Sequence, residues 1–161
     1  MDKKKAELGF IHRFIPPNKE KSEATRKNPK TTLLLLHGTG GNEVQQASKV
    51  YGFDLQHLLG IGYSNGANIA ASCLLLQPGV LSDAILFRPM VPLVPDPLPQ
   101  LSSKRILISA GLHDPVVQRQ ETENLLTLLK KAGADVSINW QNSGHELILE
   151  EVRIAKNWLR Y

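Results

Sequence analysis

Three residues whose side chains could cooperate in nucleophilic catalysis follow three separate apolar segments. Ser64 follows "HLLGIGY" within a Gly-x-Ser-x-Gly pattern, Asp114 follows "KRILISAG", and His145 follows "DVSINWQ". A serine hydroxyl becomes a strong nucleophile when a histidine accepts its proton and an acid orients the imidazole ring. The chain order of serine, acid and histidine, each after its own strand, belongs to a fold in which a sharp strand-to-helix turn exposes the serine. The order therefore predicts Ser64 as nucleophile, Asp114 as acid and His145 as base.

Each of these residues also has an ordinary structural explanation when it is considered alone. Any glycine-rich turn can match Gly-x-Ser-x-Gly. Asp114 precedes Pro115, and aspartate is common in such turns. His145 could be a loop histidine in contact with solvent. Only the joint order of the three, each after its own predicted strand, favours the catalytic interpretation.

A glycine-rich loop is the fourth candidate part of this site. "LLLLHGTGGNE" carries three glycines between positions 38 and 41, which allows backbone N–H groups to point inward. By analogy, the N–H groups of Thr39 and Asn65 are expected to bind an oxyanion, with Gly38 and Gly40 beside the substrate. A phosphate-binding loop is disfavoured, because neither Gly-Lys-Ser/Thr nor Gly-x-Gly-x-x-Gly is formed.

Alternating strands and helices are predicted to position these residues. Strands are expected over 9–15 and in "TTLLLLHG", "HLLGIGYS", "SDAILFRP", "KRILISAG" and "DVSINWQ", the last five of them buried. Helices are expected in "NEVQQASKVYGFD", "NGANIAASCLLLQP", "QRQETENLLTLLKKAGA" and "ILEEVRIAKNWLRY". This alternation predicts an α/β fold: one domain over 1–161, with a mainly parallel sheet of about six strands and helices on both faces. Segments 1–8 and 18–30 are expected to be flexible.

Composition excludes several classes of function. The chain has 161 residues and a net charge of +4, and residues 1–30 hold nine Lys/Arg against four Asp/Glu. This basic segment lacks aromatic or motif support for nucleic-acid binding, so a solvated loop is the better interpretation. No window suits a membrane span, and no group of residues has metal-ligand spacing, so neither a metal nor a cofactor is expected. The single cysteine, Cys73, is expected in the core of a cytoplasmic protein. The sequence is compatible with a homodimer.

Several segments together resemble one known family. "LLLLHGTGGNE", "IGYSNGANIAAS", "RPMVP", "ISAGLHDPVV" and "GHELILEEV" are similar to motifs of the bacterial phospholipase/carboxylesterase family, which are small cytoplasmic α/β-hydrolases related to acyl-protein thioesterases. The resemblance runs from Thr31 to Leu159. It implies a three-layer α/β-hydrolase sandwich and a serine esterase acting on small carboxylic esters or thioesters. It also implies that Met90 and the "RPMVP" loop border the acyl pocket.

The chain departs from the family pattern in one place. Family members carry a few dozen more residues between the glycine loop and the helix before the serine, whereas here "HGTGGNE" joins "VQQASKVYGFD" directly. The shortening predicts that strand 31–37 pairs directly with strand 57–63, while strand 9–15 pairs antiparallel with 31–37. It also leaves a second hypothesis open: a catalytically impaired deletion variant that acts as a non-enzymatic interaction module.

Overall fold

The computed structural model describes residues 32–36 and 57–160, which form five strands and three helices. The strands are β1 (Thr32–Leu36), β2 (Leu58–Tyr63), β3 (Asp83–Phe87), β4 (Arg105–Gly111) and β5 (Asp135–Gln141). The helices are α1 (Asn65–Leu76), α2 (Arg119–Lys131) and α3 (Leu149–Trp158). Every strand and helix predicted within these ranges is present, which confirms the α/β class.

The five strands form one parallel sheet in the order β1-β2-β3-β4-β5. Thr32 lies opposite Leu58, and Leu36 lies opposite Gly62. The direct pairing that the shortening predicts is therefore confirmed. The strand expected over 9–15 and the helix expected over 42–54 lie outside the described residues, as do segments 1–8 and 18–30.

Helices cover both faces of the sheet and form two apolar cores. α1 packs on β1, β2 and β3, and α2 packs on β4 and β5. Alternate residues of a strand point to opposite faces, so Leu58 and Leu59 belong to different cores. The larger core, on the side of α1 and α2, includes Leu58, Leu74, Leu81, Leu86, Ile106, Ile108, Leu125 and Leu129. The smaller core, on the side of α3, comprises Leu59, Ile85, Phe87, Leu107 and Ala155, with Ile61, Ile154 and Trp158 packed against it.

β5 differs from its prediction. The sequence predicts a buried strand, but Asp135 and Ser137 are exposed, and Val136 alone of its seven residues is buried. Among the described strands β5 pairs with β4 alone, so it is an edge strand, and its alternating exposure is typical of that position. The prediction of a strand buried on both faces was wrong at this edge.

The helix ends follow the predicted signals. α1 ends at Leu76, just before Pro78. α2 ends at Lys131, and Gly133 has a φ of 93°, which suits glycine because it has no side chain. The N–H of Ala134 donates to the carbonyl of Leu129, which closes the last turn.

Candidate active site

Ser64 occupies a strained turn between β2 and α1. Its φ is 53° and its ψ is −117°. Residues other than glycine rarely adopt this backbone conformation, which costs on the order of 1–3 kcal/mol. Its N–H donates to the carbonyl of Phe87 at 2.8 Å. A Cβ atom at Gly62 would overlap the backbone of Gly66 and Ala67, so glycine is required where the strand and helix approach each other. The turn lifts Ser64 above the carboxyl end of the sheet.

His145 lies in the loop that follows β5. Its Nε2 atom is 3.0 Å from the Oγ atom of Ser64. The hydroxyl of Tyr63 donates to the carbonyl of His145 at 2.9 Å, and the two rings lie against each other with centroids 5.5 Å apart. Gly111, at the end of β4, has no room for a Cβ atom because the carbonyl oxygens of Ser143 and Gly144 pack directly on it. The base loop, residues 143–146, is therefore seated on the end of β4.

Asp114 completes a hydrogen-bonded chain with His145 and Ser64. Its Oδ2 and Oδ1 atoms lie 2.9 and 3.1 Å from Nδ1 of His145, and its side chain is only 1% exposed. Oδ1 also accepts the N–H groups of Val116 and Val117. Burial raises the pKa of Asp114, but the bonds from Val117, His145 and Val116 outweigh it, so the pKa lies below its ordinary value. The carboxylate is therefore ionised at neutral pH.

The ionised carboxylate determines which ring nitrogen carries the proton. A carboxylate only accepts hydrogen bonds, so Nδ1 of His145 must donate to Asp114. In the neutral imidazole ring, Nε2 is then the acceptor, and it faces the hydroxyl of Ser64. The structure thus brings together the three residues that the sequence selects, in an arrangement that can transfer a proton from Ser64 to His145.

The other predicted site residues are only partly described. Asn65 is the first residue of α1, where backbone N–H groups have no partner within the helix and favour negative charge. Met90 is half-buried in the loop after β3, and its N–H donates to Oδ1 of Asn68 on α1 at 3.0 Å. Thr39, Gly38 and Gly40 lie outside the described residues.

Sequence reasoning missed a buried polar group beneath the base loop. It consists of Arg88, Ser109, Ser143 and Glu151, here called the Arg88 cluster. Arg88 and Glu151 are fully buried, and their charged groups are paired twice, through Nη1 to Oε1 at 2.5 Å and through Nη2 to Oε2 at 2.9 Å. The hydroxyl of Ser109 also donates to Glu151. Burial raises the pKa of Glu151, but hydrogen bonds from Arg88 and Ser109 lower it below its ordinary value.

The sequence did contain signals for this cluster. Arg88 directly ends the continuous apolar run of β3, where a charge is unexpected. Glu151 lies on the same side of α3 as Ile154, Ala155 and Trp158, which are the residues that this helix turns toward the sheet. A charge at each of two apolar positions predicts a pair, since buried charges are rarely left alone.

His113 and Cys73 have surroundings that are explained by the fold alone. His113 is exposed, and its Nε2 atom lies 2.8 Å from Oδ1 of Asn142. Cys73 is half-buried against the larger core, and burial raises the pKa of its thiol. Within the described ranges, no group of three or more His, Cys, Asp or Glu side chains could hold a metal ion. None of the helices in those ranges is long and apolar enough to cross a membrane.

The known proteins to which this chain is similar include several hydrolases. The chain is 38% identical over 117 residues to "Putative hydrolase MhqD" of Bacillus subtilis (strain 168), covering 73% of this chain and 58% of that protein. The solved carboxylesterase of Bacillus cereus is 43% identical with a TM-score of 0.72, covering 74% of this chain and 56% of that one. The carboxylesterase of Mesorhizobium loti is 37% identical with a TM-score of 0.67, covering 73% and 56%. No protein-family model matches. The chain thus spans less than three fifths of each of these relatives.

Proposed function

Since the chain belongs to the phospholipase/carboxylesterase family of α/β-hydrolases as a shortened member, we propose that it is a serine carboxylesterase. Its substrates are small carboxylic esters or thioesters, and it uses no cofactor. The observation that carries the proposal is the hydrogen-bonded chain from Ser64 through His145 to Asp114, with 3.0 and 2.9 Å between the bonded atoms. The carboxylesterases above supply the class of reaction.

The first half of the reaction forms an acyl-enzyme. The Oγ atom of Ser64 attacks the carbonyl carbon while Nε2 of His145 accepts its proton. Asp114 keeps the ring in the correct tautomer and stabilises the imidazolium that forms. The tetrahedral intermediate then collapses, the bond to the leaving oxygen or sulfur breaks, and His145 gives the proton to that atom. The acyl group remains on Ser64.

The second half of the reaction repeats these steps with water. His145 accepts a proton from a water molecule, whose oxygen attacks the acyl carbon, and the collapse returns the proton to Ser64. The oxyanion is bound in both halves by the N–H groups of Asn65 and Thr39, and Gly38 and Gly40 border the substrate. The N-terminus of α1 favours the developing negative charge. Met90 borders the acyl pocket. A cytoplasmic location fits the single cysteine. The proposal is compatible with a homodimer.

The short length favours a second candidate, a catalytically impaired variant that serves as an interaction module. The chain spans only 56–58% of three relatives, so part of their structure has no counterpart here. The two candidates differ in whether Ser64 is activated, because an interaction module needs no reactive serine.

Covalent labelling with a fluorophosphonate probe separates the two candidates. The probe reacts only with an activated serine, so the wild type should be labelled and should hydrolyse a nitrophenyl ester. Ser64→Ala should abolish both. Ser72→Ala is the matched control, because Ser72 lies on the same helix and its hydroxyl only donates to the carbonyl of Asn68. An unlabelled wild-type protein, or equal labelling of Ser64→Ala, would contradict the proposal.

A further inference from the structure

Arg88 has an unusual position for a charged residue. It directly follows β3, it is fully buried, and its φ is 55°. A non-glycine residue with this φ stores backbone strain, which persists only where the surroundings enforce it. The backbone N–H of Arg88 donates to the carbonyl of Ser109 at 2.8 Å. The preceding residue, Phe87, accepts the N–H of Ser64 through its carbonyl. Two strained residues are thus fastened side by side at the carboxyl ends of β2 and β3.

The guanidinium of Arg88 binds the base loop on both sides of His145. Nε donates to the carbonyl of Gly144 at 2.9 Å, and Nη2 donates to the carbonyl of Glu146 at 2.7 Å. Nη2 also lies 3.0 Å from the hydroxyl of Ser143. The residues before and after His145 are therefore both bonded to one rigid planar group.

The same guanidinium reaches the proposed acid. Nε of Arg88 lies 3.7 Å from Oδ2 of Asp114, whose side chain is nearly fully buried. Oδ2 is the oxygen that lies closest to Nδ1 of His145. One cation thus contacts the acid and the loop that carries the base.

Stability alone gives no clear reason for keeping this pair. Moving two charges into a protein interior carries a large desolvation penalty, and well-packed apolar residues often stabilise a core as well or better. The pair does supply geometry. A guanidinium offers five N–H donors in a fixed plane. Glu151 fixes that plane by binding two of its nitrogens, and Ser109 fixes Glu151.

We propose that Arg88 is a positioning residue for the esterase reaction. It holds the base loop and Asp114 in register, so that His145 reaches Ser64 and Asp114 together, and Glu151 holds Arg88. This inference rests on the proposed function. A displacement of about 1 Å at such a site can cost on the order of 100-fold in rate. Loss of Arg88 should lower kcat, because Arg88 holds the base loop and Asp114 in place.

The test compares a neutral pair with a core variant of reduced stability. Arg88→Met together with Glu151→Met removes both charges and leaves neither one buried without a partner. We expect kcat for a nitrophenyl ester to fall roughly 10- to 100-fold, with a similar fall in the rate of fluorophosphonate labelling. KM should change by less than about threefold. Leu129→Ala is the control, because it creates a cavity in the larger core, where Leu129 is fully buried. Its kcat per folded molecule should equal that of the wild type.

Arg88→Lys decides the matter if the double variant fails to fold. Lysine keeps the charge opposite Glu151 but cannot bind both carbonyls of the base loop in one plane. It should fold and still lose at least about tenfold in kcat. A wild-type kcat in either variant overturns the proposal, as does a loss no larger than that of Leu129→Ala. Failure of Arg88→Lys to fold also overturns it, because the pair would then serve the fold itself.

The proposed function can fail separately from this inference. In that case neither the wild-type protein nor any variant at position 88 would react with the probe. A reactive wild type whose labelling rate is unchanged in the folded Arg88 variants would leave the esterase intact and reject the positioning role alone.

Discussion

Two buried regions of this molecule are built on different interactions, although they share the same sheet. The larger core between the sheet and helices α1 and α2 is filled by leucine, isoleucine and alanine side chains. The Arg88 cluster, at the carboxyl ends of β3 and β4, is filled by charges and hydroxyls. Apolar contacts depend on volume and tolerate small shifts. Bidentate charge pairs fix both distance and plane. The comparison teaches that the apolar core supports the fold, whereas the polar region determines where the loops lie.

The largest expected effect is on activity alone, at the proposed acid. Asp114→Asn should reduce kcat/KM by about 10⁴-fold, because the amide no longer selects the tautomer in which Nε2 of His145 is the acceptor. The carbonyl oxygen of asparagine can still accept the N–H groups of Val116 and Val117, so the fold should survive. Ester kinetics and thermal melting measure the two effects. Activity within tenfold of the wild type would remove Asp114 from the mechanism.

The reverse pattern is expected in the larger core. Leu125 is fully buried on α2, and Leu125→Ala should lower the free energy of unfolding by about 2–5 kcal/mol. The kcat per folded molecule should stay unchanged. Leu76→Ala is the control, because Leu76 is 59% exposed at the end of α1, and its stability should change by about 0.5 kcal/mol or less. Urea denaturation measures both. A large loss of kcat in Leu125→Ala would show that the two regions are coupled.

A glycine pair tests the seat of the base loop. A Cβ atom at Gly111 would overlap the carbonyl oxygens of Ser143 and Gly144, so Gly111→Ala must displace the loop that carries His145. We expect a loss of roughly 10- to 100-fold in kcat. Nothing lies within 4 Å of a Cβ atom at Gly79, so Gly79→Ala should leave kcat unchanged. Equal activities for the two variants would show that the seat can shift without consequence.

The smallest expected effect is a fall in the free energy of unfolding at acidic pH. The folded pKa of Glu151 lies below its ordinary value of 4.5, so this carboxylate contributes stability above that pH. The contribution should be lost as the pH falls below 4.5 toward the folded pKa. Asp114 is lowered in the same direction from 3.8 and should act at still lower pH. Urea unfolding between pH 7 and 3 should therefore give a steeper decline for the wild type than for Glu151→Gln. Parallel curves would contradict the assignment of this carboxylate.

Much of the fold could be predicted because its signals are local. Strands β1 to β4 are short, mostly apolar runs, and helix α2 ends at a defined signal, Gly133. The exposure of β5 was predictable but was misread, because "DVSINWQ" alternates polar and apolar residues, which is typical of a strand with one buried face. Strand order depends on the whole sheet, including segments far away in the chain.

The sequence by itself determined which residues could carry the chemistry. Ser64, Asp114 and His145 stand out because each follows its own strand, and in a parallel sheet the carboxyl ends of the strands meet at one edge. Only the tertiary structure decided what supports them. Arg88 and Glu151 are 63 residues apart and belong to no shared motif, yet their charged groups are paired twice. The physical reason is that a local pattern can mark each charge as buried, whereas the partner that stabilises it is determined by three-dimensional packing.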